Sequence, residues 1–236
     1  LKHVFLHKQN WLIRLWKWSF FIFGLLIMSL GIALMIEAHL GSAPWDVLHI
    51  GLYKHFGLTV GTWSVIVGCL IITTTSLLRR CFPETGALLN MVLVGAFIDL
   101  FLHFLAAPDS WAGKTGFLLI GILINGIGIS VYISGDKGAG PRDTLMLYLT
   151  EKTGWKVSHI RRMMELCVLI AGWLMGGPVS AGTVLFGLTI GTLVGWFLPF
   201  FRKVMQTLVE RGADSEDFYK RSLRVDHHDG AGEKAR

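Results

Sequence analysis

Two runs of like chemistry stand 97 positions apart in this chain, Gly41-Ser-Ala-Pro44-Trp-Asp46 and Gly138-Ala-Gly-Pro141-Arg142-Asp143. Each sets a carboxylate two residues after a proline, at the head of a short apolar-rich segment, 44–56 and 141–153. Proline suits the first helical turn, where its missing N–H would have had no partner anyway. Asp46 and Asp143 then fall near the third helical position, where a carboxylate can accept backbone N–H bonds and oppose the helix dipole. Capping of that kind accounts for both without any ligand. Two other chemistries are open to the same geometry. Backbone N–H groups left free at a helix start can receive an anionic group, or the aspartates can face a cavity and hold a cation or a proton.

Other side chains widen the choice. Asp46, His49 and Tyr53 share a helical face, and Asp143, Met146 and Thr150 occupy it in the second copy. Asp99 sits inside a long apolar run with His103 one turn later. A charge at membrane depth is costly and usually faces a cavity or a partner, so Asp99–His103 is the expected proton-coupling pair. A structural hydrogen bond to a neighbouring helix is the competing explanation. The duplicated positions hold Gly195 and Pro199, so the pair belongs to one copy only. Asn90 and Asn125 are intramembrane polar side chains of the sort that tie helices together. Arg161 and Glu165, four apart, suit an ion pair along one helix. The spacing Gly187, Gly191, Gly195 allows close backbone approach, either within the chain or across a homodimer face.

Enzymatic chemistry has no comparable constellation. There is no Walker loop, dinucleotide fingerprint, H-E-x-x-H or G-x-S-x-G run. The three cysteines have neither C-x-x-C nor zinc-ligand spacing. No catalytic residue, metal or cofactor is expected.

The elements that must position these residues are membrane spans. The chain is 53% hydrophobic and 16% charged, against roughly 25% charged in soluble domains. Six apolar runs approach the length a bilayer requires: 18–38, 60–78, 86–106, 116–134, 160–175 and 181–201. The fifth is the weakest, because Arg161, Arg162 and Glu165 intrude on its start. The first reads as a span, not a removable signal peptide. The chain therefore divides into a cytoplasmic segment 1–17, a first membrane repeat 18–107, a second membrane repeat 116–202 and a polar cytoplasmic tail 203–236.

Sliding the sequence by 97 positions brings more than the two loops into register. Gly24, Gly31, Leu48 and Gly57 fall on Gly121, Gly128, Leu145 and Gly154, and recurring glycine and proline are not explained by shared hydrophobicity. Three spans per copy is an odd number, so the second copy enters the bilayer upside down. Lysines and arginines crowd the segments before run one, between runs two and three, between four and five, and after six. That asymmetry places both termini in the cytoplasm. The same dispersal over membrane flanks argues against nucleic acid as a partner, leaving the lipid bilayer and a small solute.

The duplicated Gly-x-x-Pro-x-Asp loops, the Gly57-Leu-Thr-Val-Gly61 turn and the 86–99 span resemble the YczE/YyaS/YitT-type bacterial integral membrane proteins, the YczE branch above all. The resemblance covers residues 18–201 and implies a multi-pass protein of the bacterial plasma membrane. It supplies no substrate. The whole reading is an all-α, six-span protein built as an inverted three-plus-three repeat with two short interfacial or re-entrant helices. The expected function is secondary transport of a small solute by alternating access, gated by the two Pro-Asp loops. A membrane scaffold or accessory factor for a cytoplasmic biosynthetic complex is the alternative.

Overall fold

The structure, a computed structural model, describes the backbone of residues 2–138 and 140–229 and the side chains of 11, 13–138 and 140–210. Regular structure among the described residues is entirely helical: α1 (Lys2–Glu37), α2 (Pro44–Phe56), α3 (Val60–Arg79), α4 (Thr85–Phe104), α5 (Trp111–Ser134), α6 (Pro141–Thr153), α7 (Val157–Leu174) and α8 (Ala181–Asp229). Local chemistry sets several of these limits. Thr59 and Ser110 cap α3 and α5 by accepting the Thr62 and Gly113 N–H groups. Gly57 and Gly154, both at positive φ, end the two 13-residue helices α2 and α6.

Among the described residues, five helical stretches are long and apolar enough to cross a membrane: Ile13–Glu37, Val60–Arg79, Thr85–Phe104, Trp111–Ser134 and Ala181–Glu210. The run expected at 160–175 forms α7, whose charged opening turns keep it out of that set. No Gly or Pro precedes Gly24, and α1 runs without a break from Lys2 into the first span. The last helix likewise continues past 202, through Pro199 and into the expected tail; side chains of that tail beyond 210 lie outside the described residues.

The spine of the molecule is the antiparallel pair α1 and α5. Gly24 meets Tyr132, Met28 meets Gly128, Gly31 meets Asn125, and Met35 meets Gly121. A side chain at any of these glycines would run into opposing backbone or the base of a side chain, which is why the seam needs them. Outboard, α4 packs on α1 and α8 on α5. The short helices cross over: α2 lies against α7, where Gly51 faces Gly172, and α6 lies against α3, tied by Arg79 to Glu151 at 2.9 Å.

The bundle has two distinct ends. At one, Lys17 pairs with Asp136 at 2.9 Å, and Gly138 lies against Glu84 and Gly86. At the other, the Leu40 carbonyl accepts the Ser180 hydroxyl and the Gly182 N–H, and Gly41 lies against Ser180 and Thr183. The two Pro-Asp loops thus enter from opposite ends. Outward faces are apolar, with Leu70, Leu119, Leu166, Trp173, Leu188 and Trp196 all exposed. An exposed apolar surface of that extent suits lipid, not water.

Candidate functional site

The two loops carry the chain inward from opposite entrances, so that the N-termini of α2 and α6 meet at one cavity of about 280 Å³. Pro44, Trp45 and Asp46 line it from one side, and Pro141, Arg142 and Asp143 from the other. Helices α1, α3, α4, α5, α7 and α8 complete the wall. Both helix starts have a residue without a capping side chain, Ala43 and Gly140, followed by proline. The first intrahelical N–H bonds are made by Val47 and Thr144. The N–H groups just before them, on the residues after each proline, are the open donors of a helix start.

The aspartates do not cap these helices. Asp46 is 1% exposed, and neither carboxylate oxygen has a hydrogen-bond partner. Burial pushes its carboxyl up from 3.8 to about 6, with the Arg142 charge pulling the other way. His49, one turn on and equally buried, has an unpartnered Nδ1 and is held neutral, since burial and then Arg142 both lower its basicity. Tyr53, expected on the same face, is 47% exposed and outside the cavity. Asp143 is half-buried and accepts the Tyr132 hydroxyl at 3.2 Å. Arg142 closes no ion pair within 4 Å among the described residues. Its guanidinium instead stacks 4.7 Å from the Trp45 ring centre, where it feels the charges of Asp46 and Asp143 together.

Asn90 and Asn125 both reach the cavity and are nearly buried. Asn125 also ties α5 to α1 by donating to the Met28 carbonyl at 3.4 Å, leaving its own oxygen without a partner. Arg161 and Glu165 do pair, at 2.9 Å, and line the cavity from α7. Asp99 and His103 lie elsewhere. Asp99 accepts the Gly61 N–H at 2.8 Å and the Thr59 hydroxyl, so it holds the start of α3 in the manner of a cap. His103 is exposed, with its ring against Phe104. Gly41 and Gly138, at φ of 101° and 116°, supply the turns that feed the two loops inward, a conformation side chains resist.

One asymmetry marks the wall. Helices α3 and α4 pack closely, the Gly61 backbone against that of Gly95. The corresponding pair, α7 and α8, is not packed, and Gly187, Gly191 and Gly195 have open space beside them. Arg161, Met164 and Glu165 on one side of this gap, and Phe186, Ile190 and Gly191 on the other, all belong to the cavity wall.

A family model matches residues 15–199. The chain belongs to DUF6198, a family of unknown function. Within that membership it is similar to the uncharacterized membrane protein YczE of Bacillus subtilis (strain 168), 45% identical over 205 residues that make up 86% of this chain and 94% of the relative. An uncharacterized protein of Haemophilus influenzae is 33% identical over 79% of this chain and 85% of its own length. The uncharacterized protein YyaS of Bacillus subtilis is 29% identical over 83% and 99%. The expected YczE-type kinship is therefore sound, and the chain is an integral membrane protein. No solved structure matches it.

Proposed function

We propose that this chain is a secondary carrier of the bacterial plasma membrane that moves a small solute by alternating access. On this reading α7 is the fifth of six spans. Its 18 residues rise about 27 Å, near the thickness of the hydrocarbon core, and Leu166, Ile170, Trp173 and Leu174 give it an apolar outer face. The observation that carries the proposal is the head-to-head meeting of the two repeated loops at one cavity, each entering from its own end of the bundle. Carriers built from inverted repeats place their sites at such a junction of interrupted helices.

The uneven wall supplies the motion. An inverted repeat can exchange the conformations of its halves, so the closed α3–α4 pair would open as the splayed α7–α8 pair closes. The end holding Lys17, Arg79 and Lys137 is cytoplasmic by the positive-inside rule, as are both termini. The gap beside Arg161 and Glu165 then belongs to a state open toward the cytoplasm. Reconstitution tests the carrier. Sealed vesicles bearing the protein and a pH gradient should concentrate one component of a labelled extract of small bacterial solutes, while empty vesicles do not. Failure of any component to move under either gradient direction removes the reading.

A further inference from the structure

The cavity holds an unbalanced charge. Arg161 and Glu165 cancel as a pair, leaving Arg142 against two carboxylates, Asp46 and Asp143. One negative charge therefore remains in a wall otherwise made largely of methionine, isoleucine, valine and aromatic side chains. An uncompensated charge in such surroundings is expensive, and one positive equivalent relieves it. Asp143 has the Tyr132 hydroxyl and a half-open position; Asp46 has neither, being 1% exposed with both oxygens unpartnered on the cavity wall. His49 Nδ1 and Asn125 Oδ1 are unpartnered on the same wall, both acceptors suited to an N–H group when the imidazole proton sits on Nε2.

We infer that Asp46 is an exchange site for one positive equivalent, taking either a proton or the protonated amine of a small amphipathic solute, never both. This deepens the carrier reading and rests on it for its role in transport. When the ammonium group arrives, its N–H groups donate to the Asp46 carboxylate and the displaced carboxyl proton leaves to solvent, so the net charge of the site is unchanged. The groups that face Asp46 set the balance: His49 on its own helix, Arg142 and Asp143 from α6, Tyr132 from α5, and Arg161 with Glu165 from α7. Helices α3 and α4 contribute Ser64 and Asn90, which do not titrate. The soft, adaptable side chains of Met28, Met91, Met146 and Met164 suit an apolar solute body of variable shape.

The test uses the full chain in detergent, in unbuffered solution held at about pH 5, where a carboxyl raised to about 6 is almost wholly protonated, with benzylamine as the probe and benzyl alcohol as its neutral counterpart. Benzylammonium should quench or shift the tryptophan emission, since Trp45 lines the cavity, and should release close to one proton per molecule bound. Benzyl alcohol should release none. Asp46→Asn should abolish the release and Asp46→Glu should restore it, while Asp99→Asn, outside the cavity, should leave it intact. Benzylammonium that fails to bind, binds without releasing a proton, or still releases one from Asp46→Asn overturns the inference. Failure of the carrier reading looks different: proton exchange at Asp46 in detergent with no solute flux in vesicles keeps the site and removes transport. Flux that is indifferent to Asp46 does the reverse.

Discussion

The two short helices carry the same motif in two different surroundings. Helix α2 is wrapped by the bundle, with Trp45, Asp46, Val47, His49 and Ile50 all buried, whereas in α6 only Pro141 is. The long-helix pairs differ as well, α3 with α4 packed and α7 with α8 apart. The shared Pro-x-Asp motif therefore yields an orphaned carboxyl in α2 and a hydrogen-bonded, half-open one in α6. A carboxylate's role is set by what encloses it.

The contrast can be broken most forcefully at the aspartates. Asp46→Asn should lower solute flux in reconstituted vesicles by about a hundredfold and Asp143→Asn by only about tenfold, a difference of roughly 1.4 kcal/mol; equal losses would erase the distinction. Next in size is the seam against the open stripe. Gly31→Leu, forced against Asn125 and Gly121, should cost about 1–3 kcal/mol or more of stability in detergent, as overpacked contacts do. Gly187→Leu, with open space beside it, should melt within a degree or two of the parent, in line with substitutions that meet no neighbour.

A third comparison concerns pH. A carboxyl raised in the folded chain from 3.8 to about 6 favours the folded state while protonated, so its contribution is full below pH 3.8 and is lost as pH climbs through about 6. The difference in melting between parent and Asp46→Asn should therefore move in favour of the parent as pH falls from 7 to 4, by about 3 kcal/mol at most. A difference that stays flat would mean that Asp46 is ionised throughout. The smallest expected signal is a cross-link. In a chain whose cysteines are replaced, Ser158→Cys with Gly191→Cys should join weakly at rest and more strongly once solute is added. These positions correspond to the closed Gly61–Gly95 contact, so no cross-link under any condition counts against closure of α7 on α8.

Much of this architecture is legible in the sequence because glycine and proline mark backbone geometry that nothing else can occupy. The recurrence of Gly24 and Gly31 at Gly121 and Gly128 locates the seam, and the Pro-x-Asp runs locate both short helices to the residue. Charge placement was less informative. Asp99 and His103 stand one turn apart in an apolar run, the pattern of a proton relay, yet the carboxylate is taken by the Thr59 hydroxyl and Gly61 N–H of a neighbouring helix start. Only the tertiary crossing of α3 over α4 decides that. Asp46 looks like a capping residue for the converse reason: the charge facing it is Arg142 of the other loop, and its helix packs on α7, both distant in sequence. Helix ends facing water or tails also escape a hydropathy reading, since the polar residues at 2–17 and beyond 202 include good helix formers.

The stack of Arg142 on Trp45 joins two positions that are themselves 97 apart, one copy's residue resting on its own counterpart. Had the two halves been separate, identical chains related by a twofold axis, that position would confront itself: arginine against arginine, or ring against ring. A single polypeptide carries no obligation to match. It allows a cation to be set on an aromatic face where the two short helices meet, and gives the vestibule a permanent left and right.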